Sequence, residues 1–363
     1  MAQDDLLFDS DQQHLQTEYD DFATFAEKDT ILRIGIVMSD IYSKKDMEFA
    51  KGLLLGIKES SLPDNSLSLK IINGEIPTDS LAYELDNFEP QVLISTFEKE
   101  TPSILNTYSL QHGIEIINVF DAKNADYLYN PYAYQLLAPS EVFNSSITDY
   151  FAGNFSDNIL VLIGDPDYTD LMIRDLIVSW PDENVLVINS EDIGVFSLET
   201  DLNYIICPIT TNYKEIKDII SEIIRLIAET PDAGVRLLGR PNWVTFNDLN
   251  SLISNIATFI PSRCYFDISD EESKRFISSY NSSYGHAPIR SYPVYSVMGY
   301  DTSKYFLPEF ASSLKGNPVA WKEENMIQSY FDMQKSENGG FYNKGSLLLH
   351  YEPWGSLKIE NLN

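Results

Sequence analysis

The sequence has little positive charge and no cluster of basic residues. It contains 25 Lys and Arg residues against 55 Asp and Glu residues, which gives a formal net charge of −30. Proteins bind nucleic acids and anionic membrane surfaces through clustered Lys and Arg side chains. Nucleic acid is therefore not expected as a partner, and the negative charge indicates a strongly solvated surface.

Long apolar runs are also missing. No segment reaches the roughly 18 apolar residues that a membrane-spanning helix needs. No signal peptide is visible at the N-terminus as given, where Met1 is followed by AQDD. Because cleavage sites favour small residues, we interpret this start as that of a chain whose export signal has been removed. The mass and the cellular fraction of the native gene product test this hypothesis.

Motifs of catalysis and of metal binding are absent. There is no GxSxG elbow, no P-loop and no GxGxxG turn. The histidines are scattered, without a metal-ligand neighbour at a useful spacing: His14, His112, His286 and His350. Cys207 and Cys264 each lie in an apolar strand-like run, which favours buried thiols over a disulfide. We therefore expect no enzyme activity, no catalytic residue, no metal site and no cofactor.

The stretch from Asn158 to Trp180 shows most clearly what the chain does contain. Residues 159–163 form a continuous apolar run of strand length, which is typical of a parallel sheet covered on both faces. A polar turn follows, in which Asp167 is predicted to cap the next helix, with Asp170 in its first turn. Apolar residues then recur at helical spacing until Pro181 ends the pattern.

The clearest helix pattern of the chain follows Asn212. Asn212 and Glu215 form a capping-box pattern, which predicts that the helix begins there. Isoleucines then recur at helical spacing over residues 216–227, which predicts one apolar stripe on this helix.

Similar strand and helix patterns alternate from Ile31 onwards, which predicts α/β units with parallel sheets. Residues 1–30 are acidic and have few apolar residues, so we interpret them as a flexible leader. Gly52 and Gly56 lie one turn apart on the first helix, and this spacing predicts close packing of that helix on the sheet. The alternation is interrupted over residues 121–139, where the first crossing between domains is expected.

Four segments in this order resemble the type I periplasmic binding protein superfamily, typified by the leucine/isoleucine/valine-binding protein. They are ILRIGIVMSD, NILVLIGDPDYTDLMI, SKRFISSYNSSYGHAP and VYSVMGYDTSKYFL. The resemblance covers about residues 31–312. It implies two doubly wound parallel-sheet lobes, joined by crossover hinge segments, with a ligand held in the cleft between them.

On this interpretation, lobe I comprises residues 31–138 and is completed by residues 262–312. Lobe II comprises residues 139–261 and is completed by residues 313–363, which include a C-terminal hairpin. The leader of residues 1–30 has no counterpart in the family.

The resemblance also implies candidate ligand-binding residues. Ser95 and Thr96 match the family's loop after the third strand, which commonly holds a ligand carboxylate. Asp165 and Tyr168 match the loop after the first strand of lobe II, where an acid can hold an ammonium and an aromatic ring can cover the ligand. The alternative is that these residues have a purely structural role. In that case Ser95 and Thr96 only cap the next helix, and Asp165 only orders its own turn.

Two further positions belong to this set. Thr210 lies in another turn that the resemblance places at the cleft, and Phe97 stands where the family often has a small residue. Glu98 and Glu100 follow Phe97 and would disfavour an anion unless they point away. An amino acid, a sugar or a peptide therefore stay open as ligands, as does an unoccupied cleft.

The sequence thus predicts a non-enzymatic, extracytoplasmic solute-binding protein whose lobes close on a small molecule, such as an amino acid, for transport or sensing. Its expected location is the periplasm or cell envelope, with a membrane transporter or an envelope protein as partner. The alternative is a protein-interaction scaffold of the same fold, similar to the envelope regulators of cell-wall synthases that transport no solute. Binding of a small solute distinguishes the two.

Overall fold

The structure is a computed structural model, and it describes residues 31–60, 62–63, 66–99, 101–165, 170–246, 248–354 and 357–362. The predicted leader, residues 1–30, lies outside the described residues. The chain divides into two compact units. Unit 1 ends at Pro139 and resumes over Phe266–Lys344, whereas unit 2 spans Ser140–Tyr265 and resumes at Gly345.

Strands and helices alternate through most of the described chain. The strands are β1 (Leu32–Met38), β2 (Leu67–Asn73), β3 (Val92–Ser95), β4 (Glu115–Asn118), β5 (Ala133–Gln135), β6 (Ile159–Ile163), β7 (Val185–Ile188), β8 (Asn203–Pro208), β9 (Gly234–Leu238), β10 (Ala257–Ser262), β11 (Glu324–Asn325), β12 (Tyr330–Phe331), β13 (Met333–Lys335), β14 (Phe341–Asn343), β15 (Ser346–Tyr351) and β16 (Leu357–Leu362). The α-helices are α1 (Lys44–Lys58), α2 (Thr78–Phe88), α3 (Ser103–His112), α4 (Ser140–Phe155), α5 (Leu171–Ser179), α6 (Tyr213–Glu229), α7 (Leu249–Ile253), α8 (Glu271–Tyr284) and α9 (Tyr295–Ser313).

Unit 1 is built on a seven-stranded sheet with the order β13-β14-β5-β4-β3-β1-β2. Strands β1 to β5 pair in parallel, β14 is parallel to β5, and β13 runs antiparallel to β14. Buried side chains cover both faces of this sheet, as the unbroken apolar strands predict. Ile34 and Ile36 share a core with residues of α1 and α9, whereas Val37 and Leu93 pack with residues of α2 and α3.

Helices α1 and α9 of unit 1 approach each other at backbone distance. A Cβ atom added to Gly299 would lie 2.0 Å from the carbonyl oxygen of Phe49, and one added to Gly52 would lie 1.7 Å from that of Ser296. The predicted close packing is therefore present, but its partner is another helix and not the sheet. The glycines are required because any side chain at these positions would push the helices apart.

Unit 2 has its own seven-stranded sheet, with the order β16-β15-β10-β9-β8-β6-β7. Strands β6 to β10 pair in parallel, and β15 and β16 complete the sheet in antiparallel orientation. The predicted apolar stripe of α6 packs on this sheet, because Ile216, Ile219, Ile220 and Ile223 are all buried in the same cluster as Ile206.

The predicted α/β architecture of two mostly parallel sheets is confirmed, but the assignment of residues 313–344 to lobe II is wrong. These residues lie in unit 1, where β14 pairs with β5. The strand β5 itself was not predicted, since it has only three residues within a segment rich in Tyr, Asn and Pro. Its position is fixed by pairing with β4, which no local pattern reveals.

The stretch around β6 and α5 forms the predicted strand, turn and helix. Helix α5 begins one residue after Asp170, whose Oδ1 accepts a hydrogen bond from the Ile173 amide at 3.3 Å. The cap is therefore Asp170, and Asp167 lies outside the described residues. None of the helices in the described part of the chain is long and apolar enough to cross a membrane.

Candidate functional site

The carboxyl ends of parallel strands are where open α/β sheets receive ligands. In unit 1, β1, β3 and β4 end side by side, with Val37 paired to Ser95 and Ser95 paired to Asn118. In unit 2, β6, β8 and β9 end together in the same way. We call these two places the unit 1 edge and the unit 2 edge.

Ser95 and Thr96 are both fully buried at the unit 1 edge. The Thr96 amide donates to the Val37 carbonyl at 3.2 Å, and the Thr96 hydroxyl oxygen accepts from the Ser39 amide at 3.0 Å. Ser95 Oγ is buried without a hydrogen-bond partner among the described residues. The loop after β3 therefore uses the polar groups of Thr96 to hold the loop after β1.

Lys45, on the first turn of α1, was missed by the sequence reasoning. Its ammonium donates to the Thr96 carbonyl at 3.0 Å and to Ser39 Oγ at 3.2 Å. It also lies 3.6 Å from Asp46 Oδ1 and 3.6 Å from Glu98 Oε1. The charge that Glu98 was expected to present to a ligand is therefore directed at a lysine, and the single ammonium of this cluster lies near two carboxylates of the protein.

Asp46 is the fully buried acid of this cluster. Its Oδ2 accepts hydrogen bonds from Ser39 Oγ and from the Asp40 amide, both at 2.8 Å. The Asp46 amide in turn donates to Ser43, which caps α1, at 3.1 Å. Asp46 thus joins the end of β1 to the start of α1. The only local signal was an acid in the first turn of a helix, which sequence reasoning assigns to the helix dipole.

A row of buried polar residues continues across the sheet from Ser95. Asn118 and Gln135 follow it in register on β4 and β5. Their side-chain amides donate to the Asp121 carbonyl, at 2.9 Å from Asn118 and 2.8 Å from Gln135. The Asp121 carboxylate accepts from Thr101 Oγ1 at 3.3 Å. Strands β3, β4 and β5 each end in a polar residue, and this shared pattern in the sequence could have predicted the row of polar side chains.

Phe97, the remaining predicted residue of unit 1, has a packing role. It is half-buried and lies against the core cluster that contains Leu81 and Leu105. A Cβ atom added to Gly74 would lie 2.6 Å from the Phe97 ring, so the ring covers the backbone at the end of β2.

At the unit 2 edge, the predicted residues of the first turn are only partly described. Gly164 ends β6 with a φ of 123°, a conformation that favours glycine, and Asp165 follows it with an exposed side chain. Tyr168 lies outside the described residues. Asp165 and Tyr168 therefore stay predictions as ligand contacts.

Thr210 is half-buried and holds the start of α6. Its hydroxyl donates to Glu215 Oε2 at 2.7 Å, and Glu215 Oε1 accepts from Ser190 Oγ at 2.8 Å. Asn212 caps the helix by accepting from the amides of Lys214 and Glu215 at 3.0 and 3.3 Å. The predicted cap at Asn212 is present, while the Glu215 side chain binds two hydroxyl groups of neighbouring loops.

Arg240 is the buried charged residue at the unit 2 edge, and the sequence reasoning missed it. It follows Gly239 after β9 and is 8% exposed. Its Nη2 forms an ion pair with Asp170 Oδ2, and its Nη1 lies 3.8 Å from Met172 Sδ. Among the described residues Nε has no hydrogen-bond partner. The guanidinium lowers the pKa of the nearby Cys207 thiol, but burial has the larger effect and raises that pKa to about 11.

A cavity of about 420 Å³ lies elsewhere in unit 1 and contains none of the predicted site residues. Tyr300 lines it and donates to Glu59 Oε2 at 2.8 Å. Lys304 donates to the Glu59 carbonyl at 2.7 Å and lies 5.6 Å from the centre of the Tyr300 ring. The carboxylate and the carbonyl of Glu59 are therefore both already bonded to residues of the same unit.

The two edges thus differ in what they can offer chemically. In unit 1 the Thr96 loop is bonded to Ser39 and Lys45, while in unit 2 the Arg240 guanidinium keeps a buried N–H donor without an acceptor among the described residues. No group of His, Cys, Asp and Glu side chains suited to a metal ion occurs in the part of the chain that the structure describes.

Solved structures of low sequence identity share this fold. A branched-chain amino acid ABC transporter protein from Rhodospirillum rubrum is 13% identical, with a TM-score of 0.63, over 91% of this chain and 100% of that chain. A periplasmic ligand-binding protein of a branched-chain amino acid ABC transporter from Burkholderia xenovorans is 12% identical, with a TM-score of 0.56, over 92% and 95%. Full-length LpoA from Haemophilus influenzae is 10% identical, with a TM-score of 0.57, over 93% of this chain and 60% of that chain.

Neither a protein-family model nor a curated protein sequence matches the chain. The similar structures therefore show its fold alone. That fold is the type I periplasmic binding protein-like fold, as the resemblance in the sequence predicts.

Proposed function

We propose that this chain, which has the type I periplasmic binding protein-like fold, is a non-enzymatic, extracytoplasmic protein that binds a small solute for transport or sensing. The solute binds at the carboxyl ends of its sheet strands, where this class of sheet receives ligands. Similar structures support a small organic solute, since they are complexes with isoleucine, leucine and benzoate. An ABC transporter in the membrane is the partner that we propose.

The observation that carries this proposal is the concentration of buried polar groups at both sheet edges. The edges carry Thr96 and Asp46 in unit 1 and Arg240 in unit 2, all nine-tenths buried or more. Buried polar groups are costly, so such groups at strand ends are more common in binding sites than in cores. The absence of catalytic motifs from the sequence supports binding without chemistry.

A thermal-shift panel of amino acids, organic acids, sugars, nucleosides and muropeptides tests the proposal. A ligand at about 100 times its dissociation constant stabilises the folded state by roughly 2.7 kcal/mol. For a chain of this size the melting temperature should rise by about 2 to 4 °C. Saturable stabilisation by one class of solute is expected. A flat response to the whole panel would contradict solute binding.

The second candidate is a protein-interaction scaffold of the same fold. The specific observation in its favour is the unit 1 edge, where the Lys45 ammonium donates to the Thr96 carbonyl and lies near the carboxylates of Asp46 and Glu98. The similarity to LpoA in fold is consistent with this candidate. A flat thermal-shift panel, together with retention of a cell-envelope enzyme on the immobilised chain, would favour the scaffold.

A further inference from the structure

We propose that the solute is a carboxylic acid and that its carboxylate is bound in unit 2, by Arg240, and not by the Ser95 and Thr96 loop of unit 1. This inference rests on the proposed solute binding and adds to it the class of solute and the residue that selects it. It reverses the expectation from the sequence, in which unit 1 holds the carboxylate and Asp165 of unit 2 holds an ammonium.

The Arg240 guanidinium is buried and has few hydrogen-bond acceptors among the described residues. Arg240 is 8% exposed, and its guanidinium carries a positive charge. Its only oxygen acceptor among the described residues is Asp170, through Nη2, and the thioether of Met172 near Nη1 is a weak acceptor. Nε has none. A buried charged donor without an acceptor destabilises a fold, so its presence indicates a function.

A purely structural role for Arg240 explains less of this geometry. Asp170 caps α5 by accepting from the Ile173 amide, and one further donor suffices for its second oxygen. A shorter polar side chain could supply that donor. A guanidinium supplies additional N–H groups in a fixed plane, and those groups are useful only if another acceptor binds beside Asp170.

The chemistry of the site favours a carboxylate as that acceptor. A hydrogen bond from a guanidinium to a carboxylate is charge-assisted and roughly twice as strong as one to a neutral oxygen. The N-terminus of α5, which begins at Leu171, adds a positive potential at the same place. Because Asp170 neutralises much of the guanidinium charge, a monoanion fits this site better than a phosphate dianion.

At the unit 1 edge the Ser95 hydroxyl is buried without a hydrogen-bond partner among the described residues, but it carries no charge. The Thr96 amide and hydroxyl are bonded to Val37 and Ser39. The Lys45 ammonium lies between two carboxylates, those of Asp46 and Glu98. An incoming carboxylate would therefore have to compete with two acids of the protein for one ammonium.

The test compares carboxylic acids with their own amides on the whole chain. Acetate, isovalerate and benzoate are each paired with acetamide, isovaleramide and benzamide, which match them in shape but carry no charge. Binding is followed by thermal shift and by the Nε–H resonance of Arg240 in protein labelled with ¹⁵N-arginine. The resonance is assigned by its absence from the Arg240→Lys variant.

At least one acid is expected to stabilise the chain saturably and to move the Arg240 resonance, while its amide does neither. Arg240→Gln and Arg240→Lys should each weaken acid binding by about tenfold or more, since neither retains the planar donor group. Arg174→Gln is the matched control, because Arg174 lies on α5 with an exposed side chain paired to Asp175. It should bind the acid like the original chain.

Three results would each overturn the inference while leaving the proposed function intact. The first is equal stabilisation by an acid and its amide. The second is stabilisation by an acid that does not move the Arg240 resonance and that stabilises Arg240→Lys equally well, and the third is stabilisation only by neutral solutes of the wider panel. If no solute of either panel binds, the inference and the proposed function both fail. Circular dichroism checks that each variant is folded, and Arg240→Lys serves if Arg240→Gln is not.

Discussion

The unit 1 edge and the unit 2 edge each hold a largely buried cation, and they satisfy it in opposite ways. Lys45 donates to Ser39 and to the Thr96 carbonyl and lies near two carboxylates. Arg240 has one carboxylate, that of Asp170, and keeps Nε without an acceptor among the described residues.

The difference separates a structural ion cluster from a binding group. A cation that is bonded to two loops fixes those loops, because its removal leaves a buried acid without its ion pair. A cation with a spare donor can accept a ligand at little cost in reorganisation. We infer that unit 1 gives rigidity and unit 2 gives recognition, and the following experiments test that division.

The largest effect is expected from Gly299→Ala, which disrupts the contact between α1 and α9 in unit 1. The new Cβ would lie 2.0 Å from the Phe49 carbonyl, so α1 and α9 must separate. We expect a loss of about 4 kcal/mol or more in the free energy of unfolding of unit 1, measured by denaturant titration. Gly153→Ala on α4 is the control, since its Cβ would meet nothing within 4 Å. Equal stability of the two variants would contradict the close contact.

The second effect is a pH dependence that belongs to unit 1. Burial raises the pKa of the Asp301 carboxyl from its ordinary 3.8 to about 7, against the opposing hydrogen bonds from the amides of Gln328 and Ile327. A raised folded-state pKa means that stability is fully present below about pH 4 and is lost as pH rises through about 7. Relative to Asp301→Asn, which cannot ionise, the original chain should lose on the order of 4 kcal/mol between those limits.

Melting curves of both chains across this pH range measure the effect. Glu115 should contribute a similar slope to both chains, because burial raises the pKa of its carboxyl from 4.5 to about 7. The difference between the two chains therefore isolates Asp301. A difference that stays constant with pH would show that the carboxyl titrates near its ordinary value.

The third effect is the loss of stability in Lys45→Met. The substitution keeps the apolar stem but removes the ammonium 3.6 Å from Asp46, whose carboxylate is fully buried. We expect a loss of about 2 kcal/mol in the free energy of unfolding, with solute binding within about twofold of the original. Abolished binding in a folded Lys45→Met chain would show that unit 1 recognises the solute, and it would contradict the assignment of recognition to unit 2.

The smallest effect on stability is expected from Arg240→Met. The change removes the ion pair with Asp170 and the Nε donor, which lacks an acceptor among the described residues. Asp170 keeps its bond to Ile173 and is 26% exposed to water. We expect a loss of about 1 kcal/mol, less than in Lys45→Met, measured by the same titration. A larger loss than in Lys45→Met would show that Arg240 serves mainly to hold α5.

The parts that sequence predicted were those governed by local pattern. The apolar run of β6 and the isoleucine stripe of α6 follow from periodicity, and the cap of α6 at Asn212 follows from helix-end chemistry. The short β5 and the assignment of residues 313–344 were missed, because both depend on the pairing of β5 with β14, far along the chain.

The candidate site was harder to predict for the same reason. Ser95 and Thr96 were found at the correct strand end, but their partner Lys45 lies about 50 residues earlier in the sequence. The ion pair of Arg240 with Asp170 joins residues 70 positions apart. An arginine that follows an apolar strand and a glycine is a weak signal, which gains meaning only when burial and partners are known.

The most direct test of the division is a crystal structure of the chain with the carboxylic acid that stabilises it most. We predict an oxygen of the solute carboxylate within hydrogen-bond distance of Arg240 Nε, with the hydrogen bonds of Lys45 to Thr96 and Ser39 unchanged. A carboxylate bound to Ser95 or Thr96 with Lys45 displaced, and with Arg240 not contacting the solute, would contradict it.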